Sequence, residues 1–392
     1  MKAGSGQRVL VLNAGSSSLK FALFAGLARV WHGQVEGIGT RPRFLPGGEA
    51  AQALALPAST GHAAALEVIL AALAARGIGL SGIAACGHRI VHGGARFVAP
   101  LRLAGGELDD LHALRALAPL HNRFGLEAID ALVRIASGLP QVACFDTAFH
   151  ATVPEVASRY ALPAELHEAG YRRYGFHGLN FEHVTAALAE RGGGTPPARL
   201  LIFHLGNGCS IAAVRDGRSV GTTMGYSTLD GLVMGTRCGA IDPGVLLALQ
   251  RDRGLDADAL EELLYRRSGL LGVSGRSPDM RELTRSDEEA CRFAVEHFSY
   301  WAARQAGSLL VALGGLDAIA FTGGIGAGSA RVRAQIVAHL AWLGLEIDAA
   351  RNERNEAELA SAGSRCPILI VEADEERVIA RHVHAALRAS HA

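Results

Sequence analysis

Apolar runs interrupted by short polar, glycine-containing turns organise this chain. Residues 9–12 and 19–24 form strand-like runs on either side of Asn13-Ala14-Gly15-Ser16-Ser17-Ser18, with Lys20 early in the second run. The same layout recurs downstream, where residues 200–205 lead into Gly206-Asn207-Gly208, then residues 209–214 and the turn Arg215-Asp216-Gly217. Such self-similarity predicts a duplicated domain, with one phosphate-holding turn per half and a nucleotide in the cleft between halves. Between the repeats the pattern alternates. Residues 62–76, 109–117 and 125–136 read as helices, and 83–91 and 141–145 as buried strands. In the second half, Ser286-x-x-Glu289 predicts a capping box opening a helix to about residue 313. Residues 317–322 read as a strand, Gly323-Gly324-Ile325-Gly326 turns into a helix from about Ser329, and 367–371 form a last strand before a terminal helix. Strands alternating with helices predict an α/β fold with mixed sheets. The Gly192-Gly193-Gly194-Thr195-Pro196-Pro197 stretch reads as a surface loop.

Composition narrows the class. The 392 residues suffice for two or three domains with full cores. A hydrophobic fraction of 49% against 19% charged residues excludes long disorder. The formal net charge of zero argues against a general nucleic-acid binder or a binder of anionic membranes. The six cysteines form no C-x-x-C pair, which fits reduced thiols in the cytosol better than a disulfide scaffold or a zinc site. No apolar segment precedes a cleavage site at the N-terminus, and the longest apolar run, 309–321, is broken by Gly314, Gly315 and Asp317. The expectation is a soluble cytoplasmic protein. Lysine occurs only at Lys2 and Lys20, so the one inside the polar turn region is a candidate compact point charge.

Several strand ends and turns carry residues that a core does not favour. The opening turn can cradle an anion through backbone N–H groups, hydroxyls and Lys20, or it can be an ordinary hairpin. Arg89, in Gly87-His88-Arg89-Ile90-Val91-His92-Gly93-Gly94, suits bidentate binding of a carboxylate or phosphate, and equally a structural ion pair. Asp146 ends an apolar strand and can serve a metal through water or cap a helix. His177 lies among small and aromatic residues, where a structural histidine is also common. Residues 224–243, with Asp230, Arg237 and Asp242, read as an active-site loop. The glycines at 323–326 suit a phosphate or nucleoside but do not spell G-x-G-x-x-G. Glu375, in Glu372-Ala373-Asp374-Glu375-Glu376, suits Mg²⁺ or the first turn of a helix. Taken together these are the parts of a phosphoryl-transfer site.

Asn13-Ala14-Gly15-Ser16-Ser17-Ser18-Leu19-Lys20, GHRIVHGG, FDTAFH, RRYGFHG, HLGNGCS, MGTRCGAIDPG and FTGGIG, in this order, resemble the acetokinase family of the sugar kinase/Hsp70/actin superfamily. The resemblance implies duplicated βββαβα (ribonuclease H-like, actin-like ATPase) domains with a nucleotide cleft between them. It places one domain at 1–150 plus the helix 377–392, and the other at 151–376. It implies a phosphotransferase with a carboxyl acceptor, running ATP + acetate ⇌ ADP + acetyl phosphate with Mg²⁺ or Mn²⁺, in a homodimer. Carried over by motif, Asn13 and Glu375 would serve the metal, and Ser16, Ser18 and Lys20 the phosphate end of the cleft. Arg89 would hold the acetate carboxylate, Asp146 would organise acetate and metal water, and Arg237 with His177 would stabilise the transferring phosphoryl group. His204, Gly206, Asn207 and Gly208 would contact nucleotide phosphates. Asp279, Met280 and Arg281 would flank the adenosine with Gly324, Ile325 and Gly326, while Val91, Leu120 and Phe176 would wall the acetate methyl.

The chain departs from the family pattern at Arg123-Phe124, at Phe181 where a His is usual, at Thr228, and at Ala327-Gly328. Thr228 bears on acyl-chain preference and Ala327-Gly328 on the phosphate donor, since one methylene is worth only about 1–3 kcal/mol of discrimination. Propionate or butyrate kinase is the nearest alternative. A nucleotide switch of the Hsp70/actin type is the other, and paired arginines at 89 and 237 argue against it.

Overall fold

A computed structural model describes residues 7–47, 52–53, 61–104, 106–114 and 119–389. The chain forms two compact units, Met1–Phe149 with Asp374–Ala392, and His150–Ala373.

In the first unit eight strands make one sheet: β1 (Arg8–Ala14), β2 (Ser18–Ala25), β3 (Ala28–Glu36), β4 (Arg43–Pro46), β5 (Gln52–Ala53), β6 (Ala85–Ile90), β7 (Leu101–Leu103) and β8 (Gln141–Phe145). Their order is β5-β4-β3-β2-β1-β6-β8-β7. β1, β2 and β3 pair antiparallel, whereas β1 with β6 and β6 with β8 pair parallel. Parallel neighbours require crossovers, which the helices His62–Ala75 and Pro119–Ile135 supply. β1 is buried from Val9 onward, as its apolar run demands of a strand covered on both faces. One face packs Leu10, Leu12, Leu19 and Phe21 against Leu66, Ile69 and Leu132 of the crossover helices. The terminal helix Glu375–Ala389 packs against β1 and β6. Its approach is close, because a Cβ on Gly87 would lie 2.4 Å from Ile379 Cγ2 and 2.7 Å from Val383 Cγ2.

The second unit has β9 (Arg199–Leu205), β10 (Cys209–Arg215), β11 (Arg218–Thr222), β12 (Ala318–Thr322) and β13 (Ile368–Ile370), in the order β11-β10-β9-β12-β13. Again the first three strands pair antiparallel and the last two join in parallel. Order and direction repeat those of β3-β2-β1-β6-β8, so the duplication expected from the two turns is present in the sheets. The long helix Glu289–Leu313 packs against this sheet through a buried stripe that includes Phe298, Ala302, Ala306 and Leu313.

Most expected elements appear with bounds shifted by a few residues. The expected capping box does not form. The long helix begins after Glu288, and Ser286 Oγ accepts instead from the Glu288 N–H at 3.2 Å, a local turn that ends the preceding segment. The helix expected at 109–117 runs Glu107–Ala113, and residues 115–118 lie outside the described ones. Gly323–Gly328 is itself a short helix, and Ser329 then caps a second one, Ala330–His339. Among the described residues no helix is long and apolar enough to cross a membrane.

Candidate active site

In the first unit the ends of β1, β6 and β8 and the start of the terminal helix bring Asn13, Arg89, Asp146 and Glu375 together. Asp146 is wholly buried, and both its oxygens face Arg89: Nη2 donates at 2.6 Å and Nε lies 3.1 Å from each oxygen. Arg89 Nη1 donates to Asn13 Oδ1 at 3.2 Å. The Asn13 amide donates in turn to Glu375 Oε2 at 3.2 Å and Glu376 Oε1 at 3.5 Å, and Glu375 Oε2 lies 3.6 Å from Arg89 Nε. Burial alone would weaken the guanidinium's hold on its proton, but Asp146, Glu375 and Glu376 outweigh it and raise the Arg89 pKa. Among the described residues, two of the five guanidinium N–H groups have no acceptor and suit a ligand.

The turn between β1 and β2 is a tight hairpin closed by Gly15 N–H donating to the Ser18 carbonyl at 2.8 Å. The buried His62 ring lies 2.7 Å from the Gly15 carbonyl and steadies the turn from the helix it begins. Ser16 is exposed and Ser18 half-buried. Lys20, exposed on β2, sits opposite Asn13 in the ladder and lines a cavity of about 390 Å³ with Arg29, Gln34 and Glu376. Val91 is buried just beyond β6; the side chain of Leu120 falls outside the described residues.

In the second unit the β9–β10 hairpin is closed by Gly206 N–H donating to the Gly208 carbonyl at 3.1 Å. Arg237 and His177 converge on it: a Cβ on Gly208 would lie 3.1 Å from Arg237 Nη2 and 3.1 Å from His177 Nε2. Arg237 Nη1 donates to the Thr228 carbonyl at 2.7 Å, and among the described residues no carboxylate pairs with it. Burial therefore pulls its pKa below the ordinary value. A half-buried, partly desolvated guanidinium with no carboxylate partner suits an anion. His177 precedes the helix Gly178–Arg191 with φ 59, a left-handed conformation costly for a non-glycine residue and often found at functional sites. Its Nδ1 lies 2.8 Å from Ser210 Oγ, and its ring stacks on His204 with centroids 4.1 Å apart. Phe176 is buried beside it.

Next to this hairpin lies a cavity of about 640 Å³, lined by Gly206, Asn207, Met280, Arg281, Gly324 and Ile325 among others. That volume suits a nucleoside phosphate. Asp279 shapes one wall by capping the helix Met280–Arg285 and chelating the Arg281 guanidinium at 2.6 Å. Gly326 is buried and does not line the cavity.

Sequence reasoning missed Ser210, Asn180, Arg29 and Glu376. Ser210 is in ladder register with His204 and Asn180 lies one helical turn after His177, so both were open to a reading by periodicity. Arg29 pins Asp374 from β3, a pairing across 345 residues that no local signal carries.

Two sheets that share a five-strand order, an anion-ready arginine beside a glycine hairpin and a nucleoside-sized cavity define a phosphotransferase of the actin-like ATPase fold. A profile described as the acetokinase family matches residues 8–381. An acetate kinase of Rhodopseudomonas palustris is 44% identical over 391 residues, covering 96% of this chain and 97% of its own. The solved structure of a propionate kinase from Francisella tularensis superposes with a TM-score of 0.90 at 37% identity, covering 96% of this chain and 98% of that one. For the Porphyromonas gingivalis acetate kinase the values are 0.87 and 34%, covering 97% and 100%. The chain belongs to the acetokinase family.

Proposed function

We propose that this chain is an acetate kinase that transfers the γ-phosphoryl group of ATP directly to acetate. The observation that carries the reading is the half-buried Arg237, with no carboxylate partner among the described residues, set with His177 against the β9–β10 hairpin beside a nucleoside-sized cavity. Acetate is held through its carboxylate by the two outward N–H groups of Arg89, which Asp146 fixes in orientation. One carboxylate oxygen attacks the γ-phosphorus; the new O–P bond forms as the β–γ bridge bond breaks, and ADP departs in line. Arg237 and His177 donate to the equatorial oxygens where charge concentrates. Gly206, Gly208, Asn207 and His204 hold the nucleotide phosphates, and Ser16, Ser18 and Lys20 are the phosphate-binding candidates of the first unit. Asp279, Met280 and Arg281 enclose the adenosine with Gly324, Ile325 and Gly326, and Val91, buried just beyond β6, meets the acetate methyl.

The donor set fits Mg²⁺ or Mn²⁺. Asp146, Glu375 and Asn13 offer hard oxygens, and no three metal-binding side chains of the described residues converge into a cage, as suits an ion that keeps several waters. The ion would neutralise phosphate charge. A homodimer in the cytoplasm completes the reading.

Propionate is the second acceptor to test, because the Francisella neighbour carries that name and Thr228 stands in the expected methyl pocket. Trapping acyl phosphate with hydroxylamine gives the decision. The highest kcat/KM is expected for acetate, with propionate next and butyrate far behind; no hydroxamate from any of the three would sink the reading.

A further inference from the structure

His177 and His204 stack face to face, their planes 15° apart. Each is anchored through Nδ1 and turns Nε2 toward the β9–β10 hairpin. His177 Nδ1 meets Ser210 Oγ at 2.8 Å, while a Cβ on Gly208 would lie 3.1 Å from its Nε2. His204 Nδ1 meets Asn180 Nδ2 at 2.7 Å, while a Cβ on Gly206 would lie 3.9 Å from its Nε2. The two anchors differ in chemistry. A serine hydroxyl both donates and accepts, and so leaves the tautomer of His177 open. An amide nitrogen only donates, so with the Asn180 amide turned this way the nitrogen facing it presents a lone pair.

Asn180 is wholly buried in the first turn of the helix Gly178–Arg191. Its amide also reaches Thr322 Oγ1 at 3.3 Å. Thr322 and His204 are ladder partners at the ends of β12 and β9, where the glycine helix and the glycine hairpin of the cavity begin. One side chain thus ties the histidine to the origin of both phosphate-facing segments.

We propose that Asn180 is a positioning residue that fixes His204 as the Nε2–H tautomer, so that the neutral ring supplies a permanent donor to a nucleotide phosphate oxygen. The inference rests on the nucleotide reading of this cavity. Holding the tautomer in advance spares the ring a choice when the anion arrives, which is preorganisation of a donor.

Nitrogen-15 NMR of the histidine rings in the full-length protein tests it, with the His204 signals assigned by their loss in His204→Gln. Wild type is expected to show the Nε2–H form at neutral pH. The isosteric Asn180→Asp, which can only accept, should move a proton onto Nδ1, and Asn180→Leu should give mixed tautomers. In Asn180→Leu the Kd for ADP, measured by calorimetry, should rise about 10-fold with the KM for acetate unchanged. An Nδ1–H tautomer in wild type overturns the proposal. So does a tautomer indifferent to Asn180→Asp, in a variant whose circular dichroism shows it folded. The ring readout needs no turnover, so a protein that binds ADP but makes no acyl phosphate would refute the acetate reading and leave this one standing.

Discussion

Arg89 and Arg237 are the same residue type in opposite electrostatic settings. Arg89 is paired with the carboxylates of Asp146 and Glu375 and donates to Asn13, whereas Arg237 donates to a carbonyl and, among the described residues, pairs with no carboxylate. Opposite consequences follow. Arg237→Ala should lower kcat roughly 10³-fold while circular dichroism and melting stay near wild type, because the lost contact matters most when charge develops. Arg89→Ala should raise the KM for acetate by at least about tenfold and also loosen Asp146, whose buried carboxylate loses that ion pair. Arg89→Lys would rescue the charge but not the fork, and is expected to recover only part of the loss. Sequence showed each arginine as a polar break in an apolar or glycine-rich context. It could not show which was paired, because Asp146 lies 57 residues from Arg89 in the chain.

Two buried histidines set a pH dependence at the same scale. Burial pulls His88 down to about 4, only partly opposed by Gln141, and His150 down to about 4, only partly opposed by the Phe176 carbonyl. In the unfolded chain both titrate near 6.5, so between pH 6.5 and 4 the unfolded state binds protons that the folded state refuses. Their contribution is whole above pH 6.5 and is lost as pH falls toward 4. Melting curves should show Tm dropping through that window, with a shallower drop in His88→Gln; a flat profile would contradict the burial of neutral rings.

Elements were legible where one physical rule dominated. β1, β2, β8 and β9 announced themselves as continuous apolar runs, and the terminal helix follows its acidic first turn. β3 escaped notice because most of its residues are exposed or half-buried and give no sustained apolar signal. The capping box failed because Ser286 had a nearer donor in Glu288 N–H. The element contacts also make predictions. Gly87→Val would drive a branched side chain into Ile379 and Val383, so the terminal helix, and with it Glu375, must shift; a loss of about 1–3 kcal/mol in chemical denaturation is expected. Gly323 has φ 77 and its Cβ would lie 2.6 Å from the Leu205 carbonyl. Gly323→Ala should therefore weaken nucleotide binding in calorimetry more than it lowers the KM-normalised response to acetate.

On the scale of the molecule, the duplicated turn was the feature of the sequence with the longest reach. NAGSSS and GNG each close the hairpin between the first two strands of a five-strand set, and the two sets share order and direction. The repeat could be read because each turn is a short polar, glycine-containing break between two apolar runs. The long-range constellation came only through the family resemblance and not from the local pattern, since Asn13 and Glu375 meet only after the chain has completed the second unit and returned. The proposed homodimer predicts about twice the monomer mass of 41.0 kDa in sedimentation equilibrium.

Phosphorus NMR of the purified protein with ATP and Mg²⁺, in the presence and absence of acetate, tests acetate phosphorylation most directly. Acetyl phosphate and ADP are expected to rise in equal amounts, and only when acetate is present. Release of inorganic phosphate from ATP at a rate indifferent to acetate, with no acetyl phosphate resonance, would contradict an acetate kinase and favour a nucleotide switch.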